Sequence, residues 1–221
     1  MTMAIIFEQV TKAIGHNIVL DHVNCEMDTG KITGLQGING SGKTMMMRLI
    51  AGLIYPTKGQ VRVDGAIVGK DVSFPPSLGV MLENPAFLNA YSGYDNLKLL
   101  AAINGVAGVK DIDRALERVG LLDAKNKKYR KYSLGMKQRL GIAAAILERP
   151  SLLLLDEPTN SLDASGVDLV KSIVQEEKSR GATVVLSCHD GSVLEELADV
   201  ILSVESGCVT GSRPGKRGVG V

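Results

Sequence analysis

The chain has 221 residues with 25 basic and 24 acidic side chains, a formal net charge of +1, so no overall field favours nucleic acid or another polyanion as a partner. Hydrophobic residues make up 45% and mean hydropathy is +0.13, too rich in core formers for a disordered chain and enough for one sizeable core, with or without an inserted subdomain. Cys25, Cys188 and Cys208 are odd in number and have no CxxC spacing, which argues against a disulfide framework or a zinc site and for a reducing compartment.

No stretch approaches the ~20 apolar residues that a bilayer-crossing helix needs. Residues 1–10 lack a basic n-region and meet Glu8 early, so no secretory signal is expected there. Strands are predicted at 5–10 and 18–27, around a turn at Gly15, His16 and Asn17, then at 31–36 and 61–64. A run free of Gly and Pro at 43–51, dense in Met, Leu and Ile, predicts a buried helix.

Between about residues 83 and 150 the pattern turns helical. Over 111–122, Ile112, Ala115, Leu116 and Val119 fall three and four apart, with Asp113, Arg114, Glu117 and Arg118 on the other face, which predicts an amphipathic helix. A second helix is predicted at 135–147, with Ser133 upstream as its cap. From 151 onward strands at 152–155, 183–187 and 200–204 alternate with helices at 164–179 and 192–198, the signature of a parallel sheet covered on both faces. Residues 207–221 carry five glycines with Arg213, Lys216 and Arg217 and little to bury; a frayed tail is expected, with a membrane-surface contact as the alternative.

The strongest motif is Gly37-Ile38-Asn39-Gly40-Ser41-Gly42-Lys43-Thr44, the GxxxxGK[ST] phosphate loop, between a predicted strand and a predicted helix. Its glycines let successive N–H groups face phosphate oxygens, and the helix N-terminus adds roughly +0.5 charge. Lys43 then neutralises the β and γ phosphates, and the Thr44 hydroxyl serves Mg2+. In Leu152-Leu153-Leu154-Leu155-Asp156-Glu157 four leucines bury a central strand and two carboxylates emerge at its C-terminal end, where open α/β sheets bind ligands. Asp156 is the candidate Mg2+ ligand, and Glu157 the candidate group that orients or deprotonates the attacking water. The 113 positions from Lys43 to Asp156 require an insertion that a minimal guanine-nucleotide switch does not need, and the base-reading NKxD is missing because Tyr129 follows Asn126-Lys127-Lys128.

The segment Tyr132-Ser133-Leu134-Gly135-Met136-Lys137-Gln138-Arg139-Leu140 resembles, in divergent form, the LSGGQ signature of the ATP-binding cassette (ABC) ATPases. Ser133 and Gly135 sit at the matching positions, at a predicted helix N-terminus suited to an anion. Asn160-Ser161-Leu162-Asp163 is similar to the family's D-loop, and His189, just after the strand at 183–187, to its switch histidine. The resemblance runs from about residue 5 to 207 and implies a P-loop α/β fold of ABC type: a mostly parallel central sheet, an N-terminal antiparallel β-subdomain and an inserted helical subdomain. It implies one ATPase domain, with 1–83 and 151–206 as nucleotide-binding core, 84–150 as helical subdomain and 207–221 as tail.

It further implies a Mg2+-dependent ATPase in which Ser133 and Gly135 of one subunit reach the γ-phosphate held by another, in a homodimer or heterodimer. Integral membrane permease subunits are the implied partners, and the inner face of the cell membrane, on the cytoplasmic side, is the implied location. The alternative is a soluble ABC-type ATPase in an assembly role such as iron–sulfur cluster loading, or a nucleotide-binding regulator with little hydrolysis.

Two positions depart from the family pattern. Ala13-Ile14-Gly15-His16 lacks the usual adenine-stacking aromatic, leaving Ile14 for an apolar contact or His16 for a stack. Glu83 stands where the family carries a glutamine that touches Mg2+ or the attacking water; it keeps an oxygen ligand, loses the NH2 donors and adds negative charge near Asp156 and Glu157. Glu83 before Asn84-Pro85 and the YSLGMKQRL signature are similar to the bacitracin-resistance and lantibiotic self-protection branch, implying peptide-antibiotic or drug export. Met45, Met46 and Met47 read as core filler, Cys188 as a buried strand-end thiol, and His16 and His22 as solvent or turn residues. Phe87, Tyr91 and Tyr94 line a partner groove or form the small core of the helical region.

Overall fold

The computed structural model describes residues 4–83 and 85–216. The chain opens with β1 (Ala4–Ile14) and β2 (Asn17–Asp28), paired antiparallel across a two-residue turn whose Gly15 takes the φ of +59° that such tight turns require. Then come β3 (Ile32–Gln36), α1 (Lys43–Ile50), β4 (Lys58–Val63), β5 (Ala66–Ile67), β6 (Leu78–Met81), α2 (Gly93–Asn104) and α3 (Val109–Arg118). A 3-10 turn at Tyr129–Lys131 leads to α4 (Leu134–Ile146), β7 (Leu152–Leu155), α5 (Ala164–Ser179), β8 (Thr183–Ser187), α6 (Gly191–Leu197), β9 (Val200–Glu205) and β10 (Cys208–Pro214).

Two sheets result. One is antiparallel in the order β2-β1-β4-β5; the other has the order β10-β9-β3-β8-β7-β6 and is parallel except for the β9–β10 pair. The expected architecture, a parallel-rich central sheet with an antiparallel N-terminal sheet, is present. The central strands read as unbroken apolar runs because both of their faces are covered. In β7, Leu153 and Leu155 point into a cluster with the helices α2 to α6, whereas Leu152 and Leu154 point into a second cluster with α1 and the antiparallel sheet. Leu97, Leu116 and Leu140 share the first cluster with Leu153 and Ile173, so one continuous core joins the helices of 84–150 to the central sheet.

All parallel strands end at one edge, which places the loops after β3, β6, β7 and β8 side by side. That edge holds the site.

Some expectations shift. The helix predicted over 111–122 is α3 and ends at Arg118, because Gly120 turns the chain at φ +67°; Val119 and Leu121 nonetheless stay buried. The tail predicted to fray from 207 instead forms β10 over 208–214. Arg213 Nη2 donates to Gln36 Oε1 and Glu195 Oε1, both at 3.1 Å, and the Gly215 amide donates to the Asp199 carbonyl at 3.0 Å. The remainder of that predicted tail, 217–221, lies outside the described residues. β6 and α2 were not delimited from sequence. Four residues make β6, and its Gly79 lets α4 come so close that a Cβ there would sit 2.0 Å from the Ala145 carbonyl oxygen. Ser92 starts α2 with a capping box closed by Asp95.

Candidate active site

The loop after β3 turns back over the sheet edge to start α1, and its glycines answer to close approach or to positive φ. A Cβ on Gly37 would lie 2.2 Å from the Val204 carbonyl oxygen, and Gly42, the residue before α1, has φ +114°. Lys43 is 6% exposed, and its Nζ donates to the Gly37 carbonyl at 2.7 Å and the Ile38 carbonyl at 3.0 Å. The ammonium is thereby held over the loop, with Asn39 and Gly40 exposed at its rim. Ser41 is buried and its Oγ has no partner among the described residues, an open donor and acceptor inside the loop. A cleft of about 260 Å³ lies here, lined by Val19, Asn39, Lys43, Thr44, Asp156 and Glu157 among others.

Asp156 and Glu157 leave β7 on the wall of that cleft. Asp156 Oδ2 accepts from Thr44 Oγ1 at 2.5 Å, and Oδ1 accepts from Ser187 Oγ at 2.5 Å. Glu157 has φ +50°, a left-handed conformation unusual outside glycine. Its N–H donates to Ser187 Oγ at 3.0 Å, its carbonyl accepts from Gln138 Nε2 at 2.9 Å, and its Oε2 accepts from the His189 N–H at 2.9 Å. Glu157 Oε1 is buried without a hydrogen-bond partner among the described residues, 3.6 Å from His189 Nε2. A fixed carboxylate with one unused acceptor is what a group that positions water requires.

The donor set suits a nucleotide with Mg2+. Thr44 and Asp156 offer a hydroxyl and a carboxylate, hard oxygens of the kind Mg2+ takes when phosphates and water complete its shell. Among the described residues no group of three or more His, Cys, Asp or Glu could hold a metal alone, so a divalent ion at Thr44 and Asp156 depends on the nucleotide for its other ligands.

Ser133, Gly135 and Asp163 lie elsewhere, in a separate hollow of about 500 Å³ with Met136, Arg139 and Ser161. Ser133 caps α4, its Oγ accepting from the Met136 N–H at 3.2 Å. Asp163 caps α5, accepting from the Gly166 N–H at 2.9 Å and Ser165 Oγ at 3.0 Å; these bonds, with the Arg139 guanidinium 3.6 Å away, hold its carboxyl below the usual range. No described residue lines both the cleft and this hollow.

Glu83 follows β6 at the same sheet edge but does not line the cleft. It has φ +59°, and its largely exposed carboxylate pairs with Arg48 of α1. Ile14 is exposed and His16 sits in the exposed turn, so neither is held in place for an adenine ring. Val19 of β2, Ser187 and Gln138 were not singled out from sequence. For Ser187 a signal existed, since it is the one hydroxyl closing an apolar strand two residues before His189. Met46 and Met47 are fully buried, while Met45 lines the cleft. Burial pushes the Cys188 thiol up, and its Sγ lies 3.1 Å from Thr159 Oγ1. Phe87 packs edge-on against Tyr129 at 5.4 Å and Tyr94 joins the core, leaving Tyr91 exposed.

Residues 20–160 match the protein family described as ABC transporter. The uncharacterised ABC transporter ATP-binding protein YybJ of Bacillus subtilis (strain 168) is 45% identical over 198 residues, covering 90% of this chain and 91% of its own length. The bacitracin transport ATP-binding protein BcrA of Enterococcus faecalis is 41% identical over 88% of this chain and 64% of its own, so the chain spans just under two thirds of that relative. The lantibiotic transport ATP-binding protein SrtF of Streptococcus pyogenes is 36% identical over 88% and 83% of the two chains. Among solved structures, the ATP-binding cassette MJ0796, a dimer in a post-hydrolysis state bound to ADP and Pi, superposes with a TM-score of 0.82 at 25% identity, covering 95% of this chain and 98% of its own.

Proposed function

The chain belongs to the ABC transporter family as an ATP-binding subunit with ATPase activity, and from that premise we propose that it energises export of a peptide antibiotic or related drug through separate integral membrane permease subunits at the inner face of the cell membrane. The names of the bacitracin and lantibiotic relatives support the substrate class. Among the described residues no helix is long and apolar enough to cross a membrane, so the reading assigns the conduit to other chains.

One observation carries the two-subunit part: the cleft with Lys43, Thr44, Asp156 and Glu157 and the hollow with Ser133, Gly135 and Asp163 share no described residue. Two chains set head to tail would bring each cleft against the other's hollow. In this reading the N–H groups of the loop from Gly37 to Gly42, with Asn39 and Ser41, cradle the ATP phosphates, and Lys43 neutralises the β and γ groups. Thr44 and Asp156 hold Mg2+, with Glu83 as a further oxygen once released from Arg48. When bound, the ion screens the phosphate charge. Glu157 takes the proton of the attacking water at its free Oε1, and His189 stabilises the charge that develops on the γ-phosphoryl group. Ser133 and Gly135 of the partner subunit close the site over that group, with Asp163 holding the loop beside them.

The test is affinity capture of the Glu157→Gln variant with ATP and Mg2+, from detergent-solubilised membranes and from the soluble fraction. An ATP-dependent dimer recovered with polytopic membrane proteins is the expected result. Soluble partners alone would replace the transporter reading with an assembly ATPase.

A further inference from the structure

The strained backbone of Glu157 raises the question of what keeps it in place. A non-glycine residue at φ +50° persists only where its surroundings over-determine it. Two of its clamps come from the neighbouring strand end, Ser187 and the His189 amide. The third comes from a different layer: Gln138, 6% exposed on α4, donates its amide hydrogen to the Glu157 carbonyl at 2.9 Å. The next residue on α4, Arg139, lies 3.6 Å from Asp163, so adjacent side chains of one helix hold both ends of the 157–163 loop.

We infer that Gln138 is a positioning residue for hydrolysis, fixing the Glu157 peptide so that the free Oε1 faces the attacking water. The inference rests on the reading of Glu157 as the group that activates water. Without the Gln138 amide the part-buried Glu157 carbonyl loses its donor, and the peptide on which the carboxylate is mounted can rotate out of the left-handed region. Nucleotide binding does not require this bond, because the loop from Gly37 to Thr44 makes no contact with Gln138 in any hydrogen bond of the described residues. Gln138 lies five residues beyond Ser133 on the same helix, so the placement of the base answers to the placement of α4.

The experiment compares wild type, Gln138→Met, Gln138→Glu and Glu157→Gln in the full chain. Steady-state hydrolysis, equilibrium binding of a fluorescent ATP analogue and thermal melting are followed from pH 5.5 to 8.5. Gln138→Met is close in volume and removes the donor. It should lower kcat roughly tenfold while KM and analogue affinity stay near wild type and Tm falls by no more than the loss of one hydrogen bond explains, leaving the protein folded at the assay temperature. Gln138→Glu should be slower still at high pH, where carboxylate faces carbonyl, and regain rate as pH falls and its protonated carboxyl donates again, a recovery absent from Gln138→Met. An unchanged kcat in Gln138→Met, a loss accounted for by unfolding at the assay temperature or by weaker analogue binding, or a Gln138→Glu profile parallel to that of Gln138→Met would each overturn the inference. Failure of the underlying reading looks different: Glu157→Gln would then hydrolyse ATP at the wild-type rate.

Discussion

The Ser187 hydroxyl donates to Asp156 Oδ1 at 2.5 Å while accepting the Glu157 N–H at 3.0 Å, so one buried side chain from β8 ties together the two carboxylate-bearing residues of β7. Strand order explains the contact. β8 lies between β3 and β7, and its last residue therefore sits between the phosphate loop and the acidic pair. Ser187→Ala removes the donor to the buried Asp156 and leaves the part-buried Glu157 N–H without its acceptor, which costs about 1–3 kcal/mol. Urea melts should show that loss as a lower midpoint with an unchanged m-value, and ATP hydrolysis should fall at least tenfold. A variant with wild-type stability and rate would mean that water replaces the hydroxyl.

Among the described residues Lys43 has no carboxylate partner in the cleft; its ammonium is parked on the Gly37 and Ile38 carbonyls. Those two bonds hold the charge ready for phosphate rather than neutralise it. Removing a charged donor from a ligand costs about 1.5–3 kcal/mol. Lys43→Ala should therefore weaken ATP binding by about ten- to a hundredfold in a fluorescent-nucleotide titration. Unaltered affinity would detach the cleft from the phosphates.

How far such chemistry can be read from sequence depends on whether a residue's role is set by local or distant neighbours. Lys43, Thr44, Asp156 and Glu157 are legible because a phosphate loop and a strand-end acid pair need fixed residue types at fixed local spacing. Leu152–Leu155 is legible for a related reason, since only a strand covered on both faces tolerates four leucines in a row. Val19 carries no local signal, and for Gln138 the signature-like segment around it does not reveal its contact with Glu157. Each matters through a contact with a segment far along the chain, and a glutamine inside a helix reads as solvated until β7 is placed against it. β10 escaped in part for the same cause: the glycines around it suggest a frayed end, but its ladder with β9 pairs it, and Gln36 and Glu195 in other segments hold Arg213.

Glu83 is paired with Arg48 across an exposed face, where an ion pair contributes about 0–1 kcal/mol. Glu83→Gln should leave the melting temperature nearly unchanged. Its effect should fall on the metal instead, raising the Mg2+ concentration for half-maximal hydrolysis, because a neutral amide oxygen binds the ion less tightly than a carboxylate. An unchanged Mg2+ profile would leave Glu83 with no part in holding the ion.

The three cysteines should separate by reactivity, since the thiolate is the nucleophile. Burial, aided by the Glu26 carboxylate, pushes the Cys25 thiol up to about 12, and burial also raises Cys188. Cys208 is part-exposed on β10, with its Sγ 3.5 Å from the Asp21 carbonyl. With a chromogenic disulfide reagent at about pH 8, close to the ordinary thiol pKa, the native protein should release one fast equivalent, from Cys208. All three thiols should react in denaturant. A second fast equivalent in the native protein would contradict the raised thiol of Cys25 or the burial of Cys188.

Asp163 links stability to pH at the N-terminus of α5. Its carboxyl is held below the usual range, first by the Gly166 N–H, then by the Ser165 hydroxyl and the Arg139 charge. A carboxylate whose folded pKa lies under its unfolded value, about 3.9 for aspartate, contributes stability above that value and loses it as pH falls through the folded pKa. Asp190 at α6 acts with the same sign through the Ser192 hydroxyl and N–H. Asp163→Asn keeps an oxygen acceptor at the cap but no charge to titrate. Wild type should thus melt above the variant at neutral pH, and the gap should narrow as pH drops below about 4. Added salt should shrink the same gap at neutral pH, because Asp163 is exposed and its attraction to Arg139 is screened. A gap constant from pH 7 to 3 would place the contribution of Asp163 in geometry alone and remove its charge from the account.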